Sequence, residues 1–258
     1  MPTGRPYRAL AALAAAPALL LAGAPAAQAT PTFERYVALG DSAAAVGTLD
    51  RLQPGSSPGC LRAADNYPSV LARSLGVASF TDVSCAGAQT QHMTVPQTPR
   101  VGPPNPAQFE ALTADTDLVT ITIGANDVGA TNINTLTAAQ LETVRGTVGA
   151  VLDEIHARAP HATVVVTTYM RYLPVSGGCY GLTDQGGIQR ITDTLRAVAT
   201  THAARFADNF ARTGHDMCQP PGTNWVNGPV PDTLSVPLHA NAIGQAHIAE
   251  TVAAALAD

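Results

Sequence analysis

The chain has 258 residues, of which 14 are basic and 19 acidic, giving a formal net charge of −5. Every basic residue is an arginine and none lies in a basic run, which argues against a nucleic-acid partner. Charged residues are sparse (13%) and hydrophobic ones plentiful (46%), a balance that fits a compact chain and excludes a disordered one.

Met1 to Arg8 carries Arg5 and Arg8, Ala9 to Ala22 is almost wholly apolar, and the segment closes on Ala27-Gln28-Ala29. A basic start, a short apolar run and a small-residue exit predict a secretory signal peptide over residues 1–29. Cleavage after Ala29 would leave a secreted, extracellular protein starting at Thr30. A membrane anchor fits less well, because the run is shorter than the ~20 residues of a spanning helix and Pro17 interrupts it. No later stretch is long and apolar enough for stable membrane insertion. Residues 30–258 are the right length for a single domain, and neither a repeat nor a dividing linker breaks them.

Within that domain, Tyr36 to Leu39 is a short apolar run that stops at Gly40-Asp41-Ser42. Asn66 to Leu75 places Tyr67, Val70, Leu71 and Leu75 at helical spacing. Ala78 to Val83 alternates like a strand, and so does Leu118 to Ile123, which ends at Gly124. Leu136 to Ala159 predicts a long helix, with Leu141, Val144, Val148, Val151, Leu152 and Ile155 on one face. Thr163 to Thr168 is β-branched throughout and reads as a fully buried strand. Ile188 to Phe206 and Ala242 to Leu256 read as two more helices. Alternating strands and crossover-length helices predict a three-layer α/β/α sandwich around a mainly parallel sheet. The Pro- and Gly-rich stretches Gln53–Pro58, Thr94–Pro106 and Gln219–Pro231 read as surface loops, and the last two as possible walls of a substrate cleft.

Four cysteines, Cys60, Cys85, Cys179 and Cys218, are an even number in an oxidising compartment, so two disulfides are expected. Three pairings exist; the local one, Cys60–Cys85 and Cys179–Cys218, closes two separate loops and is preferred. A zinc site would need the close C-x-x-C spacing that is missing here.

In an α/β sheet of this kind, ligands bind outside the carboxyl ends of the strands, so motifs that end strands weigh most. Gly40-Asp41-Ser42 places a hydroxyl at the first strand end, although G-D-S is also a common turn tripeptide. A serine hydroxyl becomes nucleophilic only when a base takes its proton. Ser84-Cys85-Ala86-Gly87-Ala88 offers a glycine N–H, and Gly124-Ala125-Asn126-Asp127 a side-chain amide; both groups can face a developing oxyanion. Each would equally suit a plain turn. His239-Ala240-Asn241-Ala242 stands just ahead of the last helix, with an imidazole suited to accept a proton near neutral pH. The other six histidines, His92, His156, His161, His202, His215 and His247, show no metal-ligand spacing.

In their order, these four elements resemble the SGNH (GDSL) hydrolase superfamily, named for the Ser, Gly, Asn and His of its sequence blocks. Asn66-Tyr67-Pro68, Gly59-Cys60, Phe80 to Cys85 and Cys218 shortly before Trp225 look like its secreted bacterial lipase/esterase branch. The resemblance spans Tyr36 to Leu256. It implies a flavodoxin-like fold, Ser42 as nucleophile, His239 as base, and an oxyanion hole from Ser42, Gly87 and Asn126. It also implies ester or lipid substrates, neither metal nor organic cofactor, and local disulfides that support the pairing above; a monomer is expected. Three positions depart from the pattern. The acidic residue of D-x-x-H is replaced by Val236, whose backbone carbonyl is expected to orient His239 instead; Asp232 is seven residues ahead, at the wrong spacing. Ala240 replaces a proline and Ala43 a larger residue, which could widen the pocket beside Ser42. Two rival functions follow: a polysaccharide acetyl esterase of the same fold, and a secreted binding protein with a decayed site.

Overall fold

The structure, a computed structural model, describes residues 1–4, 32–129, 135–231 and 234–257. The apolar run of the expected signal peptide, its expected cleavage site at Ala29 and Asp232 lie outside the described residues. Among the described residues five strands, β1 (Arg35–Gly40), β2 (Ser79–Asp82), β3 (Leu118–Thr122), β4 (Thr163–Thr167) and β5 (Arg205–Ala207), pair in parallel in the order β2-β1-β3-β4-β5. The helices are α1 (Ser42–Ala45), α2 (Tyr67–Leu75), α3 (Ala138–Arg158), α4 (Gly186–Thr201) and α5 (Ala242–Ala257).

The pleat sends alternate residues to opposite faces. Val37 and Leu39 of β1, Val119 and Ile121 of β3, and Val164 and Val166 of β4 meet Val144, Val148, Leu152 and Ile155 of α3 and Ile191, Leu195 and Val198 of α4. On the other face Tyr36, Ala38, Leu118 and Val165 pack with Tyr67 and Leu71 of α2 and Ile248, Val252 and Leu256 of α5. Each helix pair thus covers one side of the sheet, giving three layers with an apolar core on each face of the sheet. Burial on both faces explains why Leu118–Thr122 and Thr163–Thr167 read as near-continuous apolar or β-branched runs.

Helix ends follow local chemistry. Asn66 Oδ1 accepts from Ser69 N at 3.0 Å and starts α2, which stops at Gly76. Thr137 and Gln140 cap α3 reciprocally, and Asn241 Oδ1 accepts from Gly244 N at 3.0 Å to open α5. The expected helix from Ile188 to Phe206 is shorter than its sequence pattern. It ends at Thr201, Ala203 takes a left-handed φ of 53°, and Arg205–Ala207 becomes β5. A three-residue strand is too short to show alternation against the helical pattern before it.

Candidate active site

The strand order reverses around β1, whose neighbours are β2 and β3, so their carboxyl ends open a crevice. The G-D-S turn enters it from β1. Gly40 has φ 137°, and a Cβ there would lie 2.5 Å from the Thr122 carbonyl oxygen, so only glycine lets β1 turn this close to β3. Asp41, 1% exposed, then caps α1: its Oδ1 accepts from Ala43 N at 2.8 Å. Ser42 is the first residue of that helix, and among the described residues its own N–H meets no acceptor.

The second block is tied to the first. Cys85 N donates to Gly40 O at 3.0 Å, and Ala86 N to Cys60 O at 2.9 Å, beside the Cys60–Cys85 disulfide. Gly87 adopts φ 77°, which a side chain would strain, and its N–H also meets no acceptor among the described residues. The third block reaches the second through side chains. Asn126 Nδ2 donates to Ala88 O at 3.0 Å, one residue beyond Gly87, and Gln89 Nε2 donates to Asn126 O at 2.9 Å. Asp127 accepts from the Thr90 N–H and hydroxyl, which fixes the turn that presents Asn126.

The fourth block arrives from the far end of the chain. His239 Nε2 lies 2.8 Å from Ser42 Oγ, across 197 positions of sequence. On the other ring nitrogen, the structure corrects the expectation for Val236. Nδ1 lies 2.8 Å from the carbonyl of Pro237, whereas the Val236 carbonyl accepts from Asn227 Nδ2 at 3.2 Å. The cause is local: Leu238 has φ 60°, so the chain doubles back and brings the imidazole over the carbonyl two residues earlier, one nearer than the family spacing suggests. With Nδ1–H donating to Pro237 O, Nε2 is left with its lone pair toward the hydroxyl. Short backbone pairings hold this turn in place: Asn227 N donates to His239 O at 2.9 Å and Asn241 N to Trp225 O at 2.9 Å.

Burial sets the electrostatics. It lowers His239 below its ordinary 6.5, against the opposing hydrogen bond to Pro237. Burial lifts the Asp41 carboxyl from 3.8 to about 7, although hydrogen bonds from Tyr169 and Ala43 pull the other way. Asp127 is also raised by burial, with Thr90 opposing. Imidazole in this state is a neutral base, and the N–H groups of Ser42 and Gly87 are unspent donors among the described residues, although Gly87 is not one of the residues that line the cavity of Ser42 and His239.

Ser42, Asn126 and His239 open into a cavity of about 490 Å³. Both alanines that depart from the family pattern, Ala43 and Ala240, line it, together with apolar groups that include Met170, Ile188 and Ile248. Of the two loops expected to wall the cleft, Gln219–Pro231 contributes Val226, but Thr94–Pro106 contributes nothing. The wall that sequence reasoning missed is the segment after β4, with Tyr169, Met170, Tyr172 and Leu182. No motif marks it; the signal was only its position at the end of a buried strand. The Cys179–Cys218 disulfide braces this segment to the loop before Trp225, beside a small core of Leu173, Met217 and Val226.

The model of the GDSL-like lipase/acylhydrolase family matches residues 38–247. The chain is 35% identical to Lipase 2 of Streptomyces coelicolor, over 87% of this chain and 86% of that protein. It is 32% identical to a lipase of Streptomyces rimosus, over 84% and 85% of the two chains. Among solved structures, the extracellular lipase of Streptomyces rimosus matches with a TM-score of 0.69 at 27% identity, covering 86% of this chain and 99% of that one. Phospholipase A1 of Streptomyces albidoflavus matches with a TM-score of 0.66 at 26% identity and the same coverage. The chain therefore belongs to the GDSL-like lipase/acylhydrolase family and is a carboxylic ester hydrolase.

Proposed function

We propose that the protein is secreted and cleaves lipid or other acyl esters through an acyl-enzyme on Ser42. The observation that carries this reading is the 2.8 Å approach of His239 Nε2 to Ser42 Oγ at the mouth of an apolar cavity. His239 takes the hydroxyl proton as Oγ attacks the ester carbonyl, and the Pro237 carbonyl holds the imidazole that becomes charged. The N–H groups of Ser42 and Gly87 and the Asn126 amide receive the oxyanion. His239 returns the proton to the departing alcohol, and water then releases the acid by the same route. A backbone carbonyl in place of a carboxylate fixes the tautomer without supplying a counter-charge, so base catalysis persists at reduced strength.

The signal peptide, with cleavage after Ala29, belongs to this proposal; the two disulfides and the likeness to an extracellular lipase support secretion. The volume and apolar lining of the cavity favour a hydrocarbon acyl chain over the acetyl group of a decorated polysaccharide. Among the described residues no helix is long and apolar enough to cross a membrane. The test pairs the parent with Ser42→Ala on aryl esters of rising chain length. Turnover should fall to background in the variant while the melting temperature holds, and a fluorophosphonate should label the parent alone. Equal hydrolysis by both proteins would overturn the reading. A parent that prefers acetylated xylan to every longer acyl ester would favour the polysaccharide alternative.

A further inference from the structure

The Tyr169 hydroxyl occupies a position that the mechanism above does not use. Tyr169 follows β4 and is one of the residues that line the cavity. It donates to Asp41 Oδ2 at 2.6 Å and accepts from Ala125 N at 3.0 Å. Asp41 immediately precedes Ser42, and Ala125 immediately precedes Asn126. One hydroxyl therefore bridges the turn that carries the proposed nucleophile and the turn that carries the proposed oxyanion donor.

We propose that Tyr169 is a positioning residue that sets the separation of Ser42 Oγ from the Asn126 amide. The inference rests on the proposed roles of those two residues. Three features support it. First, the other carboxylate oxygen of Asp41 is already committed, because Oδ1 accepts from Ala43 N at 2.8 Å and starts α1. Tyr169 consequently acts on a group that is rigid with respect to Ser42. Secondly, α1 is only four residues long, so its direction depends on this cap and its tether more than on its own hydrogen bonds. Thirdly, Ala125 N has only the tyrosine oxygen as its acceptor among the described residues; without it a backbone donor beside Asn126 would be left unpaired. The carboxyl of Asp41 also faces Asp127 and Tyr67 and is lifted by burial, and the Tyr169 bond counters that lift. Once Asp41 is ionised, its carboxylate makes this bond charge-assisted and stronger.

The tether works on the attack step and not on substrate capture. A phenyl ring in place of the phenol keeps the cavity wall and removes only the oxygen. Tyr169→Phe should therefore lower kcat on a short-chain aryl ester by about 10- to 100-fold, the scale of a small misplacement of reacting groups. KM should stay within about twofold, because no binding surface is lost. Labelling of Ser42 by a fluorophosphonate should slow in step with kcat. The control is Tyr36→Phe, which also removes a buried tyrosine hydroxyl bonded to a threonine, Thr120, at 2.7 Å, but on β1, where it bridges no site turn. Its kcat should match the parent's. A Tyr169→Phe enzyme with the parent's kcat would overturn the proposal. So would an equal kcat loss in both variants, which would mark a general cost of removing buried hydroxyls. Failure of the underlying reading is distinguishable, since it shows in the parent, as hydrolysis that survives Ser42→Ala.

Discussion

At the scale of single residues, the donors and the base carry separable, measurable shares. Asn126→Ala removes one proposed oxyanion donor and is expected to lower kcat by about 10²- to 10³-fold. The Asn126 side chain also bonds to Ala88 O, so some loss of order in the second block should accompany it. His239 must be neutral to accept the Ser42 proton. Because burial holds it below its ordinary 6.5, the acid limb of kcat/KM should fall below that value, with activity declining as pH drops through the lowered midpoint. A limb centred above it would show that another group controls the acid side.

Asp41 titrates in the opposite sense and reports on folding. Its folded value of about 7 stands above the ordinary 3.8, so the folded chain binds this proton more tightly. Its contribution to stability is fully present below the unfolded value and is lost as pH rises through about 7. Asp41→Asn, which keeps the Oδ1 cap but carries no charge, should therefore gain stability relative to the parent as pH rises from about 5 to about 8. Thermal melts of the two proteins across that range check the sign.

At the scale of elements, the strand-end glycine and the helix caps decide where the chain turns. A Cβ on Gly40 would press on the Thr122 carbonyl, at a φ that disfavours side chains, so β1 and β3 would have to part just where the site begins. Gly40→Ala is expected to cost roughly 1–3 kcal/mol or more and to lower activity in step, measured by denaturant midpoints alongside turnover. Periodicity placed the helix starts at Asn66, Leu136 and Ala242, whereas the structure begins the helices at Tyr67, Ala138 and Ala242, because Asn66 and Thr137 serve as caps and not as helical residues. Element ends were illegible at β5, where a left-handed Ala203 stops α4 and nothing in the residue types announces it. The same limit applies at Leu238. Its left-handed backbone moves the contact of His239 from the carbonyl of Val236 to that of Pro237, and leucine gives no sign of such a turn.

At the scale of the whole molecule, the two disulfides fasten loops that have little core of their own. Cys60–Cys85 spans 25 positions and Cys179–Cys218 spans 39, for which restriction of the unfolded chain is worth roughly 3–4 kcal/mol each. Reduction should lower the melting temperature. Loss of Cys179–Cys218 alone should alter the acyl-length preference, because that bond braces the cavity wall between Tyr172, Leu182 and Val226. The Cys60–Cys85 bond supports the Gly87 turn, so its removal should act on kcat instead.

Apart from β5 and the short α1, the order and type of the elements, the strand-end positions of Ser42, Gly87 and Asn126, and the histidine ahead of the last helix were written in the linear chain. Periodicity and turn chemistry are local properties, and four blocks in a fixed order leave little room for coincidence. Tertiary structure alone decided which carbonyl meets His239, which segment walls the cavity, and that a tyrosine after β4 joins two turns of the site. Those features depend on backbone direction at single residues and on contacts across more than a hundred positions, where residue type carries no record of the partner.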